Sequence, residues 1–253
     1  MPVNSVQFGQ EPWQYCNGLQ ISNDATAPDT IVNISAGETM DSTSVYQLVS
    51  AASIAVDVST AGLNGLDTGT FAASTVYAIH LVADPVNGNA IGAMASLSRT
   101  APLLPFGYSV FKLIGYIVSD GDADILLGDW TAGNSCYRQF MYDAPIATAV
   151  TAGAATTDTA VSLAAFVPAV SLTPVWIKFA MTGAAASRTL TLKTFGAVGD
   201  QYQATTQVTA VVLRDTALIL SEANSGAQSI EYLWSAGGGD AVAINVAGYF
   251  WVV

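Results

Sequence analysis

Apolar positions along this chain recur at every second residue or in short unbroken runs, and the runs are rich in Val, Ile, Thr, Tyr and Phe, the composition of strands. The most strongly patterned stretch is Leu66 to Val118. Ser74 to Ala83 predicts a strand with Tyr77, Ile79 and Leu81 on one face and Val76, Ala78, His80 and Val82 on the other. Both faces are apolar, so this strand is expected to be covered on both sides. Asp84-Pro85-Val86-Asn87-Gly88-Asn89 supplies a fixed φ and an Asn-Gly pair, so a reversal is expected there. Ala90 to Ser98 returns as its hairpin partner, and Val110 to Val118 follows a proline-bearing loop as a third strand.

The same reading places strands at Thr30 to Ile34, Ser44 to Val49 and Ile54 to Val58, a short run at Ile125 to Leu127, and a strand near Tyr137 to Tyr142. Ala36-Gly37-Glu38 reads as a turn. Residues 144–157 shift to Ala, Thr and Gly with few large side chains, which marks a linker. Beyond it, strands are expected at Ala160 to Phe166, Val175 to Met181, Thr189 to Phe195, Val208 to Leu213, Ala217 to Leu220, Ser229 to Leu233 and Ala241 to Val253. No window holds a sustained three-four apolar spacing with caps, so helices are expected to be scarce. The expected fold is all-β: two jelly-roll-like or sandwich domains, at 19–143 and 158–253, preceded by a short N-terminal arm, 1–18, whose Trp13 and Tyr15 are candidate anchoring residues.

Composition narrows the function. Charged residues are 10% of the chain, against roughly 25% in an ordinary soluble domain. A surface this poor in charge suits a molecule covered by copies of itself or by neighbours. Net charge is -12, and the seven Lys and Arg are scattered singly, so neither nucleic acid nor an anionic membrane surface is an expected partner. The first 20 residues lack the basic start and apolar core of a secretory signal. No apolar run approaches the roughly 20 residues of a membrane span, so no membrane insertion is expected. Cys16 and Cys136, the two cysteines, read as buried, reduced thiols, with a bridge between them as the alternative.

Candidate chemistry is sparse. His80 is the single histidine, so any Ser-His or Cys-His catalyst must use it; it sits mid-strand, and no Gly-x-Ser-x-Gly elbow occurs. One His and two distant Cys leave no usual zinc ligand set. Asp120, Asp122 and Asp124 alternate like the first ligands of a calcium loop, but Gly121 occupies the second position and Thr131 stands where the bidentate Glu belongs. The competing reading is a polar turn. The 19 carboxylates are dispersed, and strand spacing pairs no two of them for glycoside hydrolysis. Trp130, Tyr137, Tyr142, Trp176 and Trp234 are able to stack on sugars, with core or interface packing as the alternative for each. No cofactor and no catalytic residue are expected.

Two groups of residues carry a resemblance. Gly65-Leu66-Asp67-Thr68-Gly69, Ala72-Ala73-Ser74-Thr75, Tyr77-Ala78-Ile79, Leu104-Pro105-Phe106-Gly107-Tyr108 and Leu113-Ile114-Gly115 resemble a module of tailed-bacteriophage virion proteins. Asp158 to Pro168 and Ile244-Asn245-Val246-Ala247-Gly248-Tyr249 resemble a second module, one that accompanies sandwich domains in virion fibres. The resemblance implies a non-enzymatic structural protein of the virion: a fibre-like or decorating appendage on head, neck or tail. It further implies a homotrimer, with a monomer that trimerises only on the particle as the alternative; the N-terminal arm is expected to hold the chain to other virion proteins. The rival functions are a receptor- or glycan-binding module of a tail fibre, with a host surface glycan as partner, and a polysaccharide-degrading enzyme.

Overall fold

The computed structural model describes residues 16–86, 88–132, 137–143, 147–170, 173–198, 202–207, 212–224, 227–237 and 239–252. Every regular element among them is a strand, so the fold is all-β, as expected. Trp13, Tyr15 and Cys136 lie outside the described residues, and with them the anchoring and disulfide expectations.

The chain begins as a bent three-stranded meander. β1 (Cys16–Gly18) and β2 (Ile21–Asn23) form its first limb, β3 (Ile31–Ile34) and β4 (Gly37–Met40) its second, and β5 (Gln47–Ser50) and β6 (Ile54–Asp57) its third. They pair as β1-β4-β5 and β2-β3-β6, all antiparallel. The bend falls at Gly18 and Leu19, both left-handed with φ of 67° and 53°, and it drives the Leu19 side chain into the core. That conformation is costly for a leucine, and burial of its side chain offsets the strain. Gly37, expected in a turn, instead opens β4. A Cβ there would sit 2.4 Å from the Asn17 carbonyl oxygen and the Leu19 nitrogen, so the limbs approach this closely only with glycine. The expected arm, 1–18, therefore ends inside a sheet, with Cys16 buried in it.

The patterned stretch forms β7 (Val76–Asp84), β8 (Asn89–Ser96) and β9 (Val110–Val118), in the order β8-β7-β9. β7 is central and buried from Tyr77 through Asp84, as its two apolar faces predicted. The reversal between β7 and β8 is where it was expected: the Gly88 amide donates to the Asp84 carbonyl (3.0 Å) with Gly88 at φ 68°.

The remainder is a ten-stranded assembly of β10 (Gly128–Ala132), β11 (Tyr137–Tyr142), β12 (Ala147–Gly153), β13 (Thr159–Ser162), β14 (Thr173–Thr182), β15 (Thr189–Thr194), β16 (Tyr202–Thr205), β17 (Val212–Asn224), β18 (Ala227–Trp234) and β19 (Ala241–Val252). β17 joins its two layers: Val212–Ser221 pair with β14, and Glu222–Asn224 pair with β18. Val175, Ile177, Phe179 and Met181 of β14 point inward, and Phe179 meets Tyr202 of β16 across the interior at 5.5 Å. This is a sandwich, built on alternation of inward apolar and outward mixed residues.

Strand pairing crosses the division expected at 144–157. β12 lies within those residues and pairs with β19. β10 and β11, on the N-terminal side, complete the same sheet through β11 and β19. The expected run at 125–127 is a single bridge, Ser119 to Ile125; of the strand expected at Val208–Leu213, residues 208–211 lie outside the described residues, and its end at Val212 and Leu213 continues without a break into the strand expected at Ala217–Leu220 as β17. The buried apolar cluster is continuous between the halves, with Tyr116 of β9 edge-on to Trp251 of β19 at 5.9 Å.

Candidate functional site

Most polar side chains singled out by the sequence serve the scaffold. His80 is fully buried; its Nε2 lies 2.9 Å from the Ser98 carbonyl oxygen, and its ring meets Phe111 edge-on at 5.4 Å. Burial holds its pKa below the usual histidine range, against the opposing pull of the Ser98 carbonyl and Asp67. A neutral ring donating from Nε2 satisfies the Ser98 carbonyl and leaves the Nδ1 lone pair buried without a partner among the described residues.

The Asp120 turn is likewise internal. The Asp120 carboxylate accepts the amides of Asp122 (2.8 Å) and Asp124 (2.9 Å) through one oxygen, and Ala123 takes φ 66° to close the loop. Among the described residues, no group of three or more His, Cys, Asp or Glu is disposed to hold a metal ion. Asp24 and Asp41 do the same elsewhere. Asp24 accepts from Asn33 and from the hydroxyl and amide of Thr26. Buried Asp41 accepts from the Thr43 hydroxyl and the amides of Val45 and Tyr46. Asp67 and Asn64, within and beside the first resemblance motif, tie loops to β8: Asp67 accepts from Ser96 (2.6 Å) and the Leu103 amide, and Asn64 from the Ala93 amide.

Of the aromatics, Trp130 and Trp234 are buried and donate their indole N–H to the carbonyls of Tyr116 and Gly153. Tyr142 is buried against Phe140 and donates to Phe166 O. Trp176 keeps part of its surface, beside Phe250 on the outer face of β14 and β19. Cys16 is a buried thiol whose Sγ receives an N–H from Arg138 at 2.9 Å.

The site that remains is a groove of about 290 Å³ between β7 and β9 on one side and the 163–170 turns on the other. Three features build it. Ser74 is held at φ 51° on its rim, with its amide on the Asp120 carbonyl; next to it Thr75 donates its amide to the buried Ser119 Oγ. On the far wall, buried Leu163 and Val167 pin a turn in which the Phe166 and Val167 amides both donate to the Leu163 carbonyl, leaving Ala164, Pro168 and Ala169 facing the groove. Gln228 of β18, buried, braces that wall by donating to Val170 O and Thr173 Oγ1. Arg99, from the loop after β8, spans the two walls. Its Nη1 donates to the Ala169 carbonyl (3.2 Å), and its guanidinium bonds the Tyr116 hydroxyl. Burial pushes Tyr116 up to about 12, with Arg99 acting in the opposite direction, so this hydroxyl is neutral at physiological pH.

Among the described residues, none lining the groove is acidic, although the chain carries 19 Asp and Glu. The described lining offers a guanidinium, hydroxyls and an apolar wall, groups suited to holding a ligand. The sequence reading missed Arg99, Tyr116 and Gln228, which come from three separate strands or loops. One signal was available: Arg99 is one of only seven cations.

No protein-family model matches the chain, and no curated protein matches it. Among solved structures, the chain is similar to one titled "Structure of infectious bursal disease virus Gx strain", with 12% identity, covering 93% of this chain and 70% of that one at a TM-score of 0.22. A superposition that poor carries no argument about fold or function.

Proposed function

We propose that this protein is a non-enzymatic structural component of a tailed-phage virion, a fibre-like or decorating appendage on head, neck or tail. The observation that supports it best is how its polar residues are used. Asp24, Asp41, Asn64, Asp67, Ser119 and His80 all brace loops of the scaffold, and one of them, Asp67, belongs to the residues that resemble appendage modules. A chain that commits its polar side chains to bracing its own turns is suited to a mechanical role. In this reading the chain assembles as a homotrimer, and the N-terminal arm with Trp13 and Tyr15 grips other virion proteins. Its low charge favours self-association, because few ionised groups lose water on contact. Sedimentation of the recombinant chain is expected to give three times the 26.1 kDa protomer mass. Antibodies raised against the chain are expected to decorate intact particles at one fixed location in electron micrographs; particles that stay unlabelled, with antigen only in the unassembled fraction, would overturn the proposal.

A further inference from the structure

We propose that the groove bridged by Arg99 is a binding site for a sugar acid: a small polyhydroxylated compound carrying one carboxylate. This goes beyond the structural role and does not depend on it.

An arginine fork offers five N–H donors and matches a carboxylate bidentately. Arg99 spends its guanidinium on the Ala169 carbonyl and the Tyr116 hydroxyl, and both are neutral partners. Among the described residues no carboxylate pairs with it, so the charge is oriented but not neutralised, and the residue is exposed. Pre-fixed orientation lowers the entropy lost when an anion docks. In a molecule of net charge -12, a groove with no acid among its described lining, around an unneutralised guanidinium, is a place where an anion is weakly opposed.

The rest of the lining selects what the anion is attached to. Arg99 approaches from the β8 side of β7, whereas the Asp120 turn approaches from the β9 side, next to Ser74. The groove thus holds a cation, bonded to Ala169 and Tyr116, with the acidic Asp120 turn next to Ser74 on its rim. A ligand with a carboxylate at one end and hydroxyl donors at the other fits that arrangement, and a compact dianion does not. Ser74 and Thr75 offer hydroxyl partners, while Leu97, Val167 and Pro168 offer an apolar wall for ring C–H groups. A volume of about 290 Å³ sits at the lower bound for ligand sites, which suits a single pyranose.

The test is ligand-detected NMR on the full chain with glucuronate, glucose and inorganic phosphate as probes. Glucuronate is expected to bind saturably, with glucose at least ~10-fold weaker, because only the acid engages the fork. Arg99→Gln is expected to weaken glucuronate by ~10-fold or more and leave the glucose signal unchanged. Because Arg99 also ties the two walls together, Ala164→Phe provides a second variant. It fills the groove from an exposed turn position, keeps Arg99, and is expected to abolish glucuronate binding with the melting temperature preserved. Absence of saturable glucuronate binding overturns the proposal. So does equal binding by the Arg99→Gln and wild-type chains, or binding that survives Ala164→Phe. Phosphate displacing glucuronate as effectively as glucuronate itself would mark a bare anion site and overturn the assignment to a sugar acid.

Discussion

At the scale of single residues, the account rests on carboxylates and aromatics held inside the scaffold. Burial works to raise the Asp41 pKa, but hydrogen bonds from the Thr43 hydroxyl and the amides of Tyr46, Val45 and Thr43 outweigh it and hold the carboxyl below its usual range. Asp24 is held low by Asn33 and Thr26. A carboxyl with a depressed folded pKa contributes stability that is complete above its unfolded pKa and is lost as pH falls through the folded one. The melting temperature is therefore expected to stay level near neutrality and to fall as pH drops below about 4. Asp41→Asn places an amide N–H against the Thr43 donors. It is expected to cost about 1–3 kcal/mol at pH 7 and to flatten the acid limb, as read by thermal melts across pH. The opposite sign is expected at Tyr249. Its buried hydroxyl has no partner among the described residues, so Tyr249→Phe removes an unsatisfied group at no loss of ring packing. Urea denaturation is expected to show it stabilised by about 1 kcal/mol.

At the scale of elements, the buried guanidinium of Arg138 is the clearest link between halves. From β11 it donates to Gly18 O (2.8 Å) and Cys16 Sγ, and so ties the C-terminal sheet to β1. Arg138→Met keeps the apolar stem but orphans that carbonyl, and is expected to cost about 2 kcal/mol by urea denaturation without a change of m-value. Which elements could be read in advance follows from what holds them. β9 and β11 were legible to the residue because large alternating side chains define them. β12 was not: Ala147–Gly153 has almost no side-chain signal, and it is a strand because β19 offers it a free edge. β4 was hidden for a related reason, since Gly37 reads locally as a turn and only the close approach of β1 shows why a strand needs glycine there. β17 was split in two by Arg214-Asp215-Thr216, polar residues that a sheet face tolerates and a hydropathy pattern does not. The groove was illegible for a different reason. Arg99, Tyr116 and Gln228 converge through tertiary contacts alone, and no local spacing announces them.

At the scale of the whole molecule, the expected two-domain division meets a shared sheet. β19 is flanked on one side by β14 and on the other by β11 and β12, two strands that precede residue 158. A fragment of residues 158–253 would leave that edge of β19 unpaired and Tyr249 and Trp251 stripped of Phe140 and Tyr116. An open, apolar strand edge recruits other chains. The fragment is expected to aggregate or to give collapsed NMR dispersion where the full chain is well folded; a soluble, fully dispersed fragment would contradict the account of the shared sheet. The same integration suits a part that must survive as one mechanical unit on a particle. The claim that this protein is a constituent of a virion is tested most directly by quantitative mass spectrometry of purified particles, with its copy number scaled to the major capsid protein. The account predicts a fixed copy number per particle, divisible by three; absence of the chain, or a trace amount that varies between preparations, would contradict it.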